Sequence, residues 1–378
     1  MSERRLPAID VVRGAVMVLM AVDHVRVYSG VPAGGPSPAV FFTRWITHFC
    51  APAFVFVAGT GAFLYGRRHD DLARFLLVRG AWLVLLELTV LRFFWTFNFD
   101  YAHYMLAGVI WVIGWCMILM AGLTNLPIRA VGIFGVLVIA LHNAAGPFLV
   151  GLAGNQESAT AWIWKILYAG FLAGPVGGRL MVLYSIVPWI GVMAAGYAFG
   201  PVMALEPAKR RRVCLQLGLG ATALFAVLRA LDVYGDPRPW GRAGLLAFLN
   251  TTKYPASLSF LLMTLGPTIA AIPLAERARG ALARRLAVFG RVPFFFYLLH
   301  IPLIHLLALV VSAIRLGAVS PWLFENHPMG QPPPPEGYTW SLPTLYLVWA
   351  IAVAILYVPC RRFAELKERG TAPWLRYV

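Results

Sequence analysis

Residues 292–314 read VPFFFYLLHIPLIHLLALVVSAI, an apolar run that contains no aspartate, glutamate, lysine or arginine. A helix rises about 1.5 Å per residue and the hydrocarbon core of a bilayer is about 30 Å thick, so this run predicts a membrane-crossing helix. Comparable runs recur along the chain at 9–29, 43–65, 76–95, 103–122, 130–151, 180–200, 213–231, 255–275 and 342–360. Together they predict an all-α fold, a polytopic transmembrane helix bundle of about ten helices.

The composition agrees with this class. Hydrophobic residues make up 60% of the 378 residues, charged residues make up 13%, and the mean hydropathy is +0.72. The net charge of +16 would indicate a nucleic-acid partner in a soluble protein, but here the basic residues lie in short connections between apolar runs. We therefore predict membrane lipid, and no nucleic acid, as a partner. The four cysteines are far apart and form no C-x-x-C pair, which indicates neither a disulfide framework nor a thiolate metal site.

The basic clusters indicate the orientation of the helices. They lie at Arg4/Arg5, Arg67/Arg68/Arg74, Arg129, Lys209 to Arg212, Arg277/Arg279/Arg284/Arg285 and Arg361/Arg362/Lys367/Arg369. With ten spans every cluster faces one side, and the positive-inside rule makes that side the cytoplasm, which holds both termini. The apolar piece 161–173 is too short to cross, so we expect it to lie along the outer surface or to re-enter. No linker divides the chain, which predicts a single domain over residues 1–378.

The first predicted helix carries ionisable residues where lipid would otherwise surround it. Arg13 and His24 are eleven positions apart, about three helical turns, so they share one face, and Asp10 lies close to the same line. This face forms a polar stripe about 16 Å long, from arginine toward the cytoplasm to histidine toward the outside. Charges inside a membrane normally face the protein interior or a water-filled cavity. The structural alternative is that Arg13 reaches the headgroups and pairs with Asp10, while His24 satisfies one buried hydrogen bond.

The second predicted helix enters from outside and brings His48 to a depth similar to that of Asp23 and His24. Two imidazoles and a carboxylate suit acid–base catalysis, because histidine titrates near neutral pH and a carboxylate can orient it. They would also suit zinc. However, the chain has no H-x-x-x-H or H-E-x-x-H pair, and His300 and His305 point in different directions on a helix. We predict no metal site.

Three motifs resemble known membrane acyltransferases. The first, Asp10-x-x-Arg13-Gly14 followed by His24, resembles the first helix of the acyltransferase-3 family, in which an arginine and a histidine are separated by ten residues. The stretch from Thr43 to Gly59, with His48 and the later Arg67/Arg68, is similar to the heparan-α-glucosaminide N-acetyltransferase group and its bacterial relatives. The third, FGRVPFFFYLLH at 289–300, is similar to a Tyr-Leu-x-His signature in a late helix of these proteins.

The resemblance implies transfer of an acyl group, usually acetyl, from cytosolic acyl-CoA to a hydroxyl or amine of a glycan or lipid-linked sugar outside a bacterial cytoplasmic (inner) membrane. Acyl-CoA, acetyl-CoA in the first instance, is the donor substrate. His24 would be the general base or be acylated transiently, with Asp23 or His48 orienting it. The residues expected to bind anionic acyl-CoA are Arg13, Arg67, Arg68, Arg74 and Arg79, and those expected near the acceptor are Asp10, Lys253 and His300. One departure is that Arg74 and Arg79 replace the paired R-x-x-R of the acyltransferase-3 family.

Two other classes of function stay open at this stage. A transporter for a polar or lipid-linked solute would also need intramembrane charges and helices interrupted by glycine, and it predicts an internal repeat and no acyl-CoA turnover. A non-catalytic scaffold would use the polar stripe only for helix packing. The sequence does not decide the acceptor, the acyl chain length, whether acyl transfer is direct or passes through an acyl-histidine, or whether the protein forms homo-oligomers.

Overall fold

A computed structural model of the chain describes residues 7–35, 37–155, 160–173, 179–328 and 332–370. The predicted basic pair Arg4/Arg5 lies outside this part of the chain, as does Pro36. The α-helices are α1 Pro7–Ser29, α2 Pro38–Trp45, α3 Cys50–Gly66, α4 Leu72–Leu86, α5 Arg92–Thr96, α6 Val109–Leu123, α7 Ile128–Gly154, α8 Ala161–Trp164, α9 Ile186–Met203, α10 Pro207–Leu231, α11 Leu245–Leu249, α12 Leu258–Arg277, α13 Gly280–Arg291, α14 Pro293–Leu316 and α15 Leu342–Arg369.

The helices bear out the predicted all-α membrane fold. Seven are long and apolar enough to cross a membrane, namely Pro38–Gly66, Ile128–Gly154, Ile186–Met203, Pro207–Leu231, Leu258–Arg277, Pro293–Leu316 and Leu342–Arg369. The three other predicted spans are also helical. The first is α1, which is long enough but carries two aspartates and two arginines, the second is the run from α4 to α5, and the third is the 15-residue α6.

Two predicted spans begin as strands rather than as helices. The span predicted at 103–122 starts with β1, Met105–Ala107, and the span predicted at 180–200 starts with β3, Leu180–Val182. The two strands pair in parallel, and β2, Phe171–Ala173, pairs antiparallel with β3. Hydrophobicity could not separate these cases, because a short apolar run has the same composition in a buried strand and in a buried helix. The short piece 161–173 thus contributes α8, a π-helical turn at Lys165–Ala169 and a strand instead of a crossing.

The chain divides into two compact units, each described by itself. The first comprises the described residues of 1–50, 90–99 and 274–378, and the second those of 51–89 and 100–273. In the second unit α4 packs on α6, and α7 packs on α9. Gly80 and Gly114 lie where α4 meets α6, and a side chain at either position would collide with the backbone of the other helix. Small residues allow this close approach of helices in membranes.

In the first unit α1 packs on α13, α14 and α15. The contact with α13 is made at backbone distance, since a Cβ atom on Gly14 would meet the carbonyl oxygen of Leu286 and one on Gly290 would meet that of Asp10. Helix α13 is not predicted from the sequence. The basic cluster with Arg284 and Arg285 indicates a short cytoplasmic connection, whereas the structure has a helix there. Its polar and apolar residues alternate with the period of a helix that lies against a surface.

This contact predicts that Gly14→Ala destabilises the first unit. Even one methyl group would overlap a backbone carbonyl, which cannot turn aside as a side chain can, and overpacking of this kind costs about 1–3 kcal/mol. The melting temperature of the detergent-solubilised protein should fall. The matched control is Gly61→Ala on α3, where a Cβ atom meets nothing within 4 Å. Equal melting temperatures for Gly14→Ala and the wild type would contradict the close packing.

Candidate functional site

Helix α1 carries the polar stripe that the sequence predicted. At the amino-terminal end of this helix, Asp10 Oδ1 accepts a hydrogen bond from Arg13 NH2 at 2.7 Å, which is the pairing that the structural alternative predicted, and the Asp10 side chain is buried. Arg13 Nε is also buried, and no acceptor for it lies among the described residues. The stripe therefore begins with an ion pair that keeps one N–H of the guanidinium available.

At the other end of the stripe, His24 contacts His300 of α14. His24 Nδ1 lies 2.5 Å from His300 Nε2, and the two rings stack with centroids 4.7 Å apart. His300 is completely buried, whereas His24 is partly exposed. The two histidines belong to the same unit but are 276 positions apart in the sequence. Of the pair, only His24 can therefore meet a substrate directly.

The surroundings of His300 define where the protons lie. Its Nδ1 is 2.8 Å from the carbonyl oxygen of Tyr297 and 3.1 Å from that of Phe296. Carbonyl oxygens only accept, so Nδ1 carries the proton, and in a neutral imidazole Nε2 then has a lone pair. His24 Nδ1 must donate to that lone pair. Neutral His24 thus has its proton on Nδ1 and a lone pair on Nε2, which is the form of a general base.

Aromatic rings surround this pair. Trp95 of α5 packs edge-on against His24, with centroids 4.8 Å apart, and Tyr297 does so at 6.1 Å. Sequence reasoning did not single out Trp95, because a tryptophan in an apolar run is ordinarily explained by lipid or core packing. Only the fold brings it to α1.

Asp23, one residue before His24, is bonded to two arginines. Its Oδ1 accepts from Arg26 Nε and its Oδ2 from Arg44 NH1, both at 2.9 Å. All three side chains are largely buried. Asp23 therefore ties α1 to α2, and its predicted role in orienting His24 stays a prediction. Neither arginine was named from the sequence. No spacing rule links Arg44 to a residue on another helix, but the i,i+3 spacing of Asp23 and Arg26 on one helix was a signal that could have been used.

The other predicted site residues are spread over both units. His48 lies in the first unit, in a 3₁₀ turn at Ile46–Phe49, where its Nδ1 is 3.1 Å from the carbonyl oxygen of Trp45. In the second unit, Arg67 and Arg68 follow the end of α3 and Arg74 lies in the first turns of α4, all three exposed. Arg79 is less exposed, with its guanidinium carbon 5.8 Å from the Phe75 ring. The four arginines share one helical hairpin, as a site for a polyanion requires.

The sequence predicts that His305 and His300 point in different directions from the same helix, and the surroundings of His305 do differ from those of His300. Its Nδ1 is 3.2 Å from the carbonyl oxygen of Phe94 and its Nε2 is 2.8 Å from that of Leu323. Its ring stacks on Phe97 with centroids 3.9 Å apart. These contacts join three segments of the first unit, which is a structural role. The prediction that His300 and His305 do not converge is confirmed.

Comparison with known proteins identifies a family whose model matches this chain. Residues 5–234, more than half of the chain, match the family model described as heparan-alpha-glucosaminide N-acetyltransferase, catalytic. The match includes Arg13, Asp23, His24, His48 and the four arginines of the hairpin, while Lys253 and His300 lie beyond it. No curated protein sequence matches the chain.

Proposed function

The chain belongs to the heparan-α-glucosaminide N-acetyltransferase catalytic family, and from this premise we propose that it transfers an acyl group, in the first instance acetyl, from cytosolic acyl-CoA to a hydroxyl or amine of an extracytoplasmic glycan or lipid-linked sugar. The chain is an integral membrane protein of an acetyltransferase family. The donor, the acceptor and the setting in a bacterial cytoplasmic membrane are parts of the proposal. So is a homo-oligomeric state.

The observation that carries the proposal is the hydrogen bond between His24 and His300. A base must present a lone pair to the acceptor, and the two carbonyl oxygens behind His300 assign that lone pair to Nε2 of His24. The order of groups is the one used wherever a histidine base is held by a second residue, with an acceptor behind Nδ1 and the reacting proton at Nε2. In this proposal His300 positions His24, a different role from the acceptor contact predicted from the sequence.

The reaction then proceeds as follows. The acceptor oxygen or nitrogen adds to the thioester carbonyl while its proton passes to Nε2 of His24. The carbon–sulfur bond breaks, and His24 returns the proton to the CoA thiolate as it leaves. The imidazolium formed in between is stabilised by its hydrogen bond to His300. In the alternative route, Nε2 of His24 itself attacks the thioester carbonyl and the CoA thiolate leaves. The acceptor then attacks the acyl-imidazolium and displaces neutral His24, and the acceptor proton goes to the CoA thiolate.

The donor is assigned to basic groups. Acyl-CoA carries several phosphate charges, and we assign its nucleotide to the hairpin of Arg67, Arg68, Arg74 and Arg79, where exposed guanidinium groups can bind phosphate with two hydrogen bonds each. Arg13 is assigned to a polar group of the donor through its buried Nε, while Asp10 holds the opposite side of its guanidinium. In this proposal Asp10 holds Arg13 instead of contacting the acceptor, because it lies fourteen positions before His24, at the other end of the stripe.

The test is thioester turnover by the purified protein. In nanodiscs with [¹⁴C]acetyl-CoA, we expect free CoA thiol to appear at a rate proportional to the protein concentration, and the label to pass to an added amino sugar or to water. Protein inactivated by heat is the control. If neither acetyl-CoA nor longer acyl-CoA is consumed, and proteoliposomes accumulate a polar solute instead, the transporter hypothesis replaces this one.

A further inference from the structure

Lys253 is a buried lysine in the second unit, between α11 and α12. Its side chain is only 7% exposed. The ammonium nitrogen lies 5.2 Å from the centre of the Tyr254 ring and 5.7 Å from that of Tyr184. Within the described ranges, no carboxylate and no hydrogen-bond acceptor contacts this ammonium. A buried charge is costly unless it is paired and hydrogen-bonded, and two aromatic rings do not accept the three hydrogen bonds that an ammonium can donate.

Asp236, an acidic residue that bonds to the loop carrying Lys253, has other partners. Asp236 accepts hydrogen bonds from the backbone and hydroxyl of Thr252 and from the hydroxyl of Ser257. Its carboxylate also lies 3.9 Å from the guanidinium of the buried Arg229. The same guanidinium lies 4.0 Å from Asp232, so Arg229 is shared by two carboxylates, and neither of them contacts the ammonium of Lys253.

Two further polar groups without partners lie around Tyr184. The next residue, Ser185, precedes the first turn of the 18-residue helix α9, yet its hydroxyl does not cap the helix, is 1% exposed and has no hydrogen-bond partner. Trp189, in the first turn of α9, has its ring 5.3 Å from that of Tyr184, and its indole N–H is buried without an acceptor. The amino end of a helix also carries a partial positive charge.

We propose that Lys253, Ser185, Trp189 and the amino end of α9 form a binding site for an oxyanion, a phosphate or a carboxylate group. The ammonium of Lys253, the hydroxyl of Ser185 and the indole N–H of Trp189 can all donate hydrogen bonds, and the latter two have no acceptor among the described residues, so the missing partner is an acceptor with a negative charge. One ammonium and one helix dipole match a single negative charge, as in a phosphodiester or a carboxylate. The sequence predicts only that Lys253 lies near the acceptor, and this proposal adds the chemical group that it binds, an anion, at a site that uses neither His24 nor a thioester.

The experiment measures binding without acyl-CoA. Isothermal titration calorimetry of the full chain in a neutral maltoside detergent would use inorganic phosphate and glucuronate as soluble probes, and native mass spectrometry would compare retention of phosphatidylglycerol and phosphatidylcholine. We expect saturable binding of at least one soluble anion, or selective retention of phosphatidylglycerol. The first result indicates a soluble or glycan-borne anion, and the second indicates a lipid headgroup.

Four variants make the test specific. We expect Lys253→Met to weaken binding about 10-fold or more and Ser185→Ala to weaken it severalfold, since hydrogen bonds to charged groups are of this strength. Lys253→Arg, which keeps the charge, should bind more tightly than Lys253→Met. Lys209→Met removes an equal charge from an exposed position of α10 and should bind like the wild type. If Lys253→Met does not fold, Ser185→Ala decides.

The proposal is overturned if no anion binds, or if the folded variants of Lys253 and Ser185 bind like Lys209→Met. The His24→Gln variant should still bind the anion. Anion binding can therefore be confirmed or refuted whether or not the protein proves to be an acyltransferase.

Discussion

His24→Gln is expected to lower the rate of acetyl-CoA turnover by about 10²–10⁴-fold, the usual contribution of a general base. Glutamine has similar bulk and keeps a polar group beside His300, but it has no lone pair that can take and return a proton near neutral pH. The effect should appear in kcat, with little change in the KM for acetyl-CoA. The measurement is release of free CoA thiol by protein that elutes and melts like the wild type.

The control for this substitution is His103→Gln, because His103 has a side chain that is 80% exposed. It should leave turnover unchanged. Equal rates for His24→Gln and the wild type would remove His24 from the mechanism. A variant that turns over slowly but accumulates label on the protein would instead place the acyl group on another nucleophile.

Two substitutions of His300 can distinguish a role in positioning His24 from a role in helix packing. The side-chain oxygen of His300→Gln can accept the hydrogen bond from His24, whereas His300→Leu cannot. If His300 acts through His24, the glutamine variant retains much more activity than the leucine variant at a similar melting temperature. In addition, His300→Leu should cost little further activity when His24 is already glutamine, since the two residues act as one unit.

The second large effect is expected at Asp23. Removing its carboxylate in Asp23→Leu leaves Arg26 and Arg44 largely buried without the charge that neutralises them. Breaking a buried ion pair by deleting one partner typically costs about 3–5 kcal/mol. We therefore expect a large drop in melting temperature and loss of activity in proportion to the loss of folded protein.

A double variant tests this explanation. Because Arg44→Met removes one of the stranded charges, Asp23→Leu with Arg44→Met should be more stable than Asp23→Leu alone. The opposite pattern, a variant Asp23→Asn that keeps full stability but loses turnover, would show that the carboxylate serves His24, as the sequence suggested.

The membrane fold was predictable because its physical cause is local. An apolar run of sufficient length must be helical in lipid, whatever follows it, since every backbone group has to find a partner within the segment. The same logic fails where an apolar run is short and buried in protein, which is why β1 and β3 were taken for the beginnings of helices. It also missed α13, whose arginines lie on one face while its apolar face packs on α1.

The candidate site was predictable only within one helix. Helical periodicity places Asp10, Arg13 and His24 on one face, and no tertiary information is needed for that. The bond from His24 to His300 depends on how α1 packs against α14, which no spacing rule encodes. For the same reason Arg44 and the tryptophan beside His24 were not found, whereas Arg26, three positions after Asp23 on the same helix, could have been found from spacing alone. Residue types indicated acid–base chemistry, while the partners of each residue came from the fold.

The close contact of α1 with α13 bears on how the protein is made. Helix α1 is synthesised before the helices that follow it, and its four charged side chains can pair within the helix, Asp10 with Arg13 and Asp23 with Arg26. The helices that pack on α1 in the first unit, α13 to α15, come much later in the chain. The amino-terminal segment can therefore enter the membrane with its charges already paired, while the region that holds His24 completes its packing only when these last helices follow.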